Sequence, residues 1–373
     1  MVHMDRDIIQ LNLYMEVFRV KAKKIIKWTA LIIIFIIILL LSFRIITYIM
    51  KPARIDLNNI AGLYGEEKNT LDMVYIGGSA AFVYYESLRA FETEGVASYT
   101  YGANRMQAEL YKTMIKEILK NQKPELIIID ARAFQYREKD QPPTEIAYRN
   151  VLTGMPLSLN KIEFIHENVE KYLHEDNTSY YYDIIKYHRD LKNVKINDQI
   201  KMAFNLYKNP LKGFYFVPKV AEQTKIVNNT DKKTPVAEET EQILIDLLEY
   251  CKTTDCNYLF VVSPYVEQEL HKENFNYIRE IINQYGYDFL DANDYYDEMK
   301  LDFKTDLYNA SHVNIFGADK YTDFLTQYIK NNYNLPDRRK DENYQSWFDL
   351  LDNWNEQVDS TKAEINKLIE KNS

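Results

Sequence analysis

Residues 28–50, WTALIIIFIIILLLSFRIITYIM, form one apolar run interrupted only by Arg44 near its outer end. At helical rise such a run spans a bilayer, and Arg44 lies close enough to the end to snorkel. A dense basic flank, RVKAKKIIK, precedes the run, and the chain beyond it carries Asp56, Glu66 and Glu67. The asymmetry predicts a single-pass membrane helix, with residues 1–27 cytoplasmic and everything after residue 50 outside. A cleaved signal peptide and a buried core helix are the competing readings. The length of the run and the lack of a clean small-x-small cleavage site favour the anchor.

Residues 51–70 read as a short polar linker, after which the pattern alternates. VYI at 74–76, VASYTYG at 96–102, LIIID at 126–130, YLFVVSP at 258–264 and a short DFLDA segment read as strands. Between them, residues 105–121 carry Met106, Leu110, Met114, Ile115 and Ile118 at helical spacing. Helical patterns also cover 243–250, 273–287 and 317–330. Apolar strands alternating with helices predict an α/β fold, a mostly parallel sheet covered on both faces, spanning residues 71–335.

The rhythm breaks over residues 137–240. Pro142-Pro143 and the polar run TKIVNNTDKKTP at 224–235 frame tyrosine-rich, helical-looking material. This predicts an insertion that either caps a cleft or faces a membrane partner. Beyond Pro336, residues 336–373 read as a polar-to-amphipathic helical tail. Trp347, Leu350, Leu351, Trp354 and Val358 can dock that tail on the body or on a partner helix.

Composition adds little and excludes some classes. The 373 residues carry 46 basic and 55 acidic side chains, a formal charge of -9, which gives no support to nucleic-acid binding. Cys251 and Cys256 are close enough to pair outside a cell, and equally placed to remain free thiols. Scattered histidines without paired ligand spacing argue against a metal site, and no cofactor motif is present. The 31 tyrosines against 10 glycines reflect composition bias and not a repeat.

The chemistry concentrates at strand ends, where open parallel sheets place their clefts. Gly77-Gly78-Ser79 follows the first strand. The small residues permit a tight turn, and the amides near Gly78 can point beside the Ser79 hydroxyl. A serine needs a base, and His312, just before the last core helix, can serve if an acceptor orients its other ring nitrogen. Asn309 and Asp306 compete for that orienting role. Gly102, with Asn104 or Gln107, can complete an oxyanion site; alternatively Asn104 caps a helix. Arg132 can hold an anionic or hydroxyl-rich substrate, or pair with Asp130. The GxSxG elbow is absent, and Gly-Gly-Ser taken alone is also an ordinary turn.

Together these blocks resemble the SGNH or GDSL-like hydrolase superfamily over about residues 70–335. The likeness extends to its membrane-anchored bacterial members, among them the teichoic acid D-alanylation protein DltD and polysaccharide O-acetyltransferases. Gly77-Gly78-Ser79 matches the nucleophile block, and Gly102 within SYTYGANRMQ matches the oxyanion glycine. Asn309-Ala310-Ser311-His312, followed by Asn314 and Gly317, matches the final D-x-x-H block with asparagine in place of aspartate. The asparagine of the third block is missing, since DARAF stands there. The resemblance implies a flavodoxin-like three-layer sandwich and a serine acyl-enzyme. It also implies a cell-surface polysaccharide or teichoic acid as acceptor and a membrane-bound O-acyltransferase as partner. A non-catalytic envelope assembly or glycan-binding protein on the same fold is the alternative.

Overall fold

The computed structural model describes residues 2–135, 143–173, 176–189 and 194–372. Pro142, the insertion's first residues, and the two chain ends at 1 and 373 lie outside the described residues. Five strands form one parallel sheet: β1 (Met73–Gly77), β2 (Ser98–Gly102), β3 (Leu126–Asp130), β4 (Asn257–Val262) and β5 (Asp288–Asp291), in the order β2-β1-β3-β4-β5. This is a flavodoxin-like order, and its topological switch lies between β1 and β3. Ile127, Ile128, Ile129 and the whole of β1 are buried, because helices cover both faces. In register, Met73 pairs with both Ser98 and Leu126, and Gly77 lies opposite Gly102. The ends of β1, β2 and β3 therefore meet at one edge.

The observed helices follow the apolar periodicity with shifted limits. The helix expected over 105–121 begins only at Leu110. Residues 103–109 instead form a loop in which Arg105 takes φ 57. The last core helix, Ile315–Asn332, starts where Asn314 Oδ1 accepts from the Phe316 N–H. The tail helix, Gln345–Asn372, docks on the body: Trp347, Trp354 and Ile365 are buried.

The expectation of helical material throughout 137–240 needs correction. Short helices end at Ala203, and no regular helix or strand resumes before Glu238 among the described residues. Pro210, Pro218 and Pro235 cannot donate to a helix, and Asn205, Lys212 and Gly213 all have positive φ. This strap lies against the body through the Thr100 N–H donating to Lys212 O, Tyr215 N–H to Phe82 O and Ala221 N–H to Leu307 O. At Gly213 a side chain would meet Thr100 O at 2.0 Å, so only glycine permits the approach.

The N-terminal helix runs from Val2 to Ile49 and contains one stretch long and apolar enough to cross a membrane. Cys251 and Cys256 are both free thiols. Burial pushes each up to about 12, so neither is primed as a nucleophile.

Candidate active site

Gly77 ends β1 where a side chain has no room. A Cβ there would lie 2.6 Å from Ala81 Cβ and 2.7 Å from Asp130 Cβ. Gly78 stays extended at φ -78 and ψ -153, with its backbone amide near enough to the Asp130 carboxylate to favour the ionised form. The same carboxylate accepts from the Arg132 N–H at 3.0 Å. Asp130 thus packs against the end of β1 that leads into Ser79 and accepts from the turn that ends β3. Burial raises the Asp130 carboxyl, while Arg132 and these two amides oppose that shift. Ser79 follows as the first residue of a one-turn helix, Ser79–Phe82.

His312 comes from a small antiparallel pair, β6 (Leu307–Asn309) and β7 (His312–Val313), in which Asn309 lies opposite His312. Ser79 Oγ and His312 Nε2 are 2.7 Å apart, although the residues are 233 positions apart in the chain. Asn309 Oδ1 lies 3.0 Å from His312 Nδ1 and accepts from the Ser311 N–H at 2.8 Å. A backbone N–H can only donate, so the Asn309 atom in this position is its carbonyl oxygen. Nδ1 then carries the ring proton, and Nε2 is left to accept from Ser79. The chain of donors runs one way, from serine to histidine to asparagine.

The ring of His312 stacks on Tyr308 at 5.2 Å and 12°. Burial, assisted by the positive charge of Arg132, lowers its pKa to about 4. The resting imidazole is therefore neutral at ordinary pH.

A cavity of about 600 Å³ opens over this pair, lined by Gly78, Arg105, Met106, Gln107, Thr144 and Ser311 among others. Of the expected residues, Ser79, His312, Gly78, Gln107 and Arg132 all line it. Gln107 Nε2 donates to Arg105 O at 3.1 Å, within its own loop. Arg132 reaches the rim from below. Its guanidinium donates to Ser311 O at 3.1 Å and lies 4.1 Å over the Tyr265 ring, while the link to Asp130 is made by its backbone N–H. It therefore braces the turn that carries His312 in addition to charging the cavity wall.

Three expectations are corrected. Asp306 does not orient the histidine: its carboxylate accepts from the Asp302 N–H at 2.7 Å, Thr305 Oγ1 at 3.0 Å and Lys320 Nζ at 2.6 Å. Gly102 does not offer its amide. The Ala103 N–H donates to Gly77 O and the Thr100 N–H to Lys212 O, so strand alternation turns the Gly102 N–H away from β1. Asn104 is also committed elsewhere, since its N–H and its Nδ2 both donate to Asp56 Oδ1, at 2.6 and 2.9 Å.

The loop that replaces them is 103–109. A Cβ built on Gly78 would lie 3.8 Å from Met106 N, and Ser79 and Met106 both line the cavity, which makes their amides candidate oxyanion donors. Sequence reasoning missed Met106, Thr144, Ser311 and the bracing role of Asp130. Only Asp130 had a signal, as the polar residue closing an apolar strand. Among the described residues no group of three or more histidine, cysteine or acidic side chains is placed to hold a metal ion. Comparison with protein families, with curated proteins and with solved structures finds no match to this chain.

Proposed function

We propose that this chain is a membrane-anchored, serine-dependent acyltransferase of the SGNH type, which acts as an esterase when water is the acceptor. The observation that carries the reading is the 2.7 Å contact between Ser79 Oγ and His312 Nε2, with His312 Nδ1 held by Asn309. Its place at the switch point of a parallel sheet, under a cavity of about 600 Å³, supports the same reading.

The reaction divides into two halves. Ser79 Oγ attacks the donor's acyl carbonyl as its proton passes to His312 Nε2. The carbonyl oxygen takes negative charge beside the Ser79 and Met106 amides. The donor's C–O bond then breaks, and its alcohol leaves with the proton from Nε2. In the second half an acceptor hydroxyl gives its proton to Nε2 and attacks the ester, and Ser79 is released. The basic flank before the membrane helix favours an extracytoplasmic site. There the acceptor is a surface polysaccharide or teichoic acid, and a membrane-bound O-acyltransferase supplies the acyl group.

Asn309 gives the rival reading its support, because an amide cannot balance an imidazolium. On that reading the chain is a non-catalytic assembly or glycan-binding protein. Mass measurement of the full chain in detergent after incubation with activated acetyl and alanyl esters separates the two. A mass increment that disappears in Ser79→Ala supports the acyl-enzyme; an increment that persists in the variant, or none in the native chain, sinks it.

A further inference from the structure

The last turns of the N-terminal helix are built into the insertion. Arg44 donates from Nε to Ala203 O, and Phe43 meets Tyr182 edge to face at 6.4 Å. Just beyond, Lys51 Nζ pairs with Asp183 at 3.0 Å and lies 3.8 Å over the Tyr48 ring, and Gln199 Nε2 donates to Lys51 O. Tyr48, Leu57, Ala61, Met202, Ala203 and Tyr207 form a buried cluster of their own around this junction.

Phe43 and Arg44 belong to the apolar run of residues 28–50. At 1.5 Å per residue Phe43 lies about 9 Å below the helix end at Ile49. The insertion residues touching it therefore share the depth of the last apolar turns. Around these contacts Tyr182, Ile185, Ile196, Phe204 and Leu206 are exposed, Leu206 to 67%. In water such a set is a liability, whereas at a membrane surface it is where apolar side chains belong.

A second cavity, of about 750 Å³, opens beside the same junction. Arg54, Lys195, Lys201 and Leu206 line it, with Asp198 the single carboxylate in the lining. Among the described residues Lys195 and Lys201 form no ion pair and both are exposed, whereas Lys208 in the same lining pairs with Glu67 at 2.9 Å. Cationic ends over apolar side chains, beside a membrane helix, match an anionic headgroup over its acyl chains.

We propose that the insertion forms a foot in the membrane interface, and that this cavity binds the phosphate of an anionic phospholipid. The site goes beyond the acyl-transfer chemistry and rests only on residues 28–50 crossing a bilayer. It also bears on the catalytic cavity. The helix Ile55–Leu63 lines the foot cavity through Ile55, Asn58 and Asn59, while its Asp56 holds Asn104 in the catalytic loop. A bound headgroup would therefore fix the height of Ser79 above the membrane.

The test is native mass spectrometry of the full chain in nonionic detergent, given equal amounts of phosphatidylglycerol and phosphatidylcholine. The expected result is at least fivefold retention of phosphatidylglycerol. The preference should vanish in Lys195→Glu/Lys201→Glu and persist in Lys367→Glu, a distant surface change. Acyl transfer from a soluble ester in detergent should be unchanged in both variants. Equal retention of the two lipids overturns the site. Inorganic phosphate that raises the melting temperature as much as the lipid does, and displaces it, overturns the lipid assignment in favour of a free-anion site. Release of the native chain from membranes by alkaline carbonate overturns the anchor on which the foot depends.

Discussion

Asn309 reaches His312 from the paired strand and presents its carbonyl oxygen 3.0 Å from Nδ1. It thereby fixes the tautomer as a carboxylate would, but contributes no charge. The pKa of about 4 at His312 follows from that environment: burial and Arg132 both disfavour the imidazolium, and no anion among the described residues opposes them.

The consequence is a pH dependence and a substitution that moves it. On the proposed mechanism His312 acts as the base when neutral, so acyl transfer in the native chain should lose half its rate only near pH 4, on the acid side. Asn309→Asp places an anion at Nδ1, stabilises the imidazolium and raises the ring's pKa. The acid limb should then move upward by at least one unit. Above it the rate should rise roughly tenfold, since a charge-assisted hydrogen bond exceeds a neutral one by about 1–2 kcal/mol. An NMR titration of the His312 ring, together with the pH profile of activated-ester turnover, measures both. A ring pKa that stays put in the aspartate variant would refute this account of the low value.

How far the residues announced this site depends on what each argument needed. LIIID and YLFVVSP read as buried strands because two-sided burial leaves an unbroken apolar run, and the parallel sheet followed from their alternation with helices. Ser79 was readable because it follows the end of a buried strand, and His312 because it stands just before the last core helix. The choice between Asp306 and Asn309 was not, because the β6–β7 register decides it: Asn309 falls opposite the histidine, while Asp306 turns to Lys320. Gly102 failed for a similar reason. Which way an edge-strand amide points depends on its neighbours on both sides, here β1 and the strap at Lys212, and the strap gives no periodic signal.

Gly77 and Gly78 should respond differently to the same added methyl group. At Gly77 the new Cβ would meet Ala81 and Asp130 at 2.6 and 2.7 Å, and neither neighbour is a flexible side-chain end. Gly77→Ala should therefore cost about 1–3 kcal/mol through overpacking and displace the turn that presents Ser79. At Gly78 the nearest atoms are 3.8 Å away and φ is -78, so Gly78→Ala should melt within a degree or two of the native chain. Thermal melts and acylation of both variants check the contrast. Equal destabilisation would refute the packing argument.

The tail helix offers the sharpest stability test, because a helix with two tryptophans on one face can serve a partner or its own body. Trp354 lies against Phe214 at 5.3 Å and Phe216 at 4.9 Å, both from the strap, and is only 2% exposed. Trp347 packs on Phe91 at 5.0 Å, with Lys212 Nζ 4.3 Å over its ring. That lysine in turn pairs with Glu66 at 2.8 Å, so strap, linker and tail share one contact region. Removing a buried tryptophan side chain costs about 3–5 kcal/mol when the site cannot collapse. Trp354→Ala should lower the denaturant midpoint of the full chain in detergent accordingly and free the tail for proteolysis after the core helix at Asn332. An exposed change on the same helix, Glu364→Ala, should do neither. A midpoint unchanged in Trp354→Ala would mean that the tail is not held by the body, and that its tryptophans serve a partner.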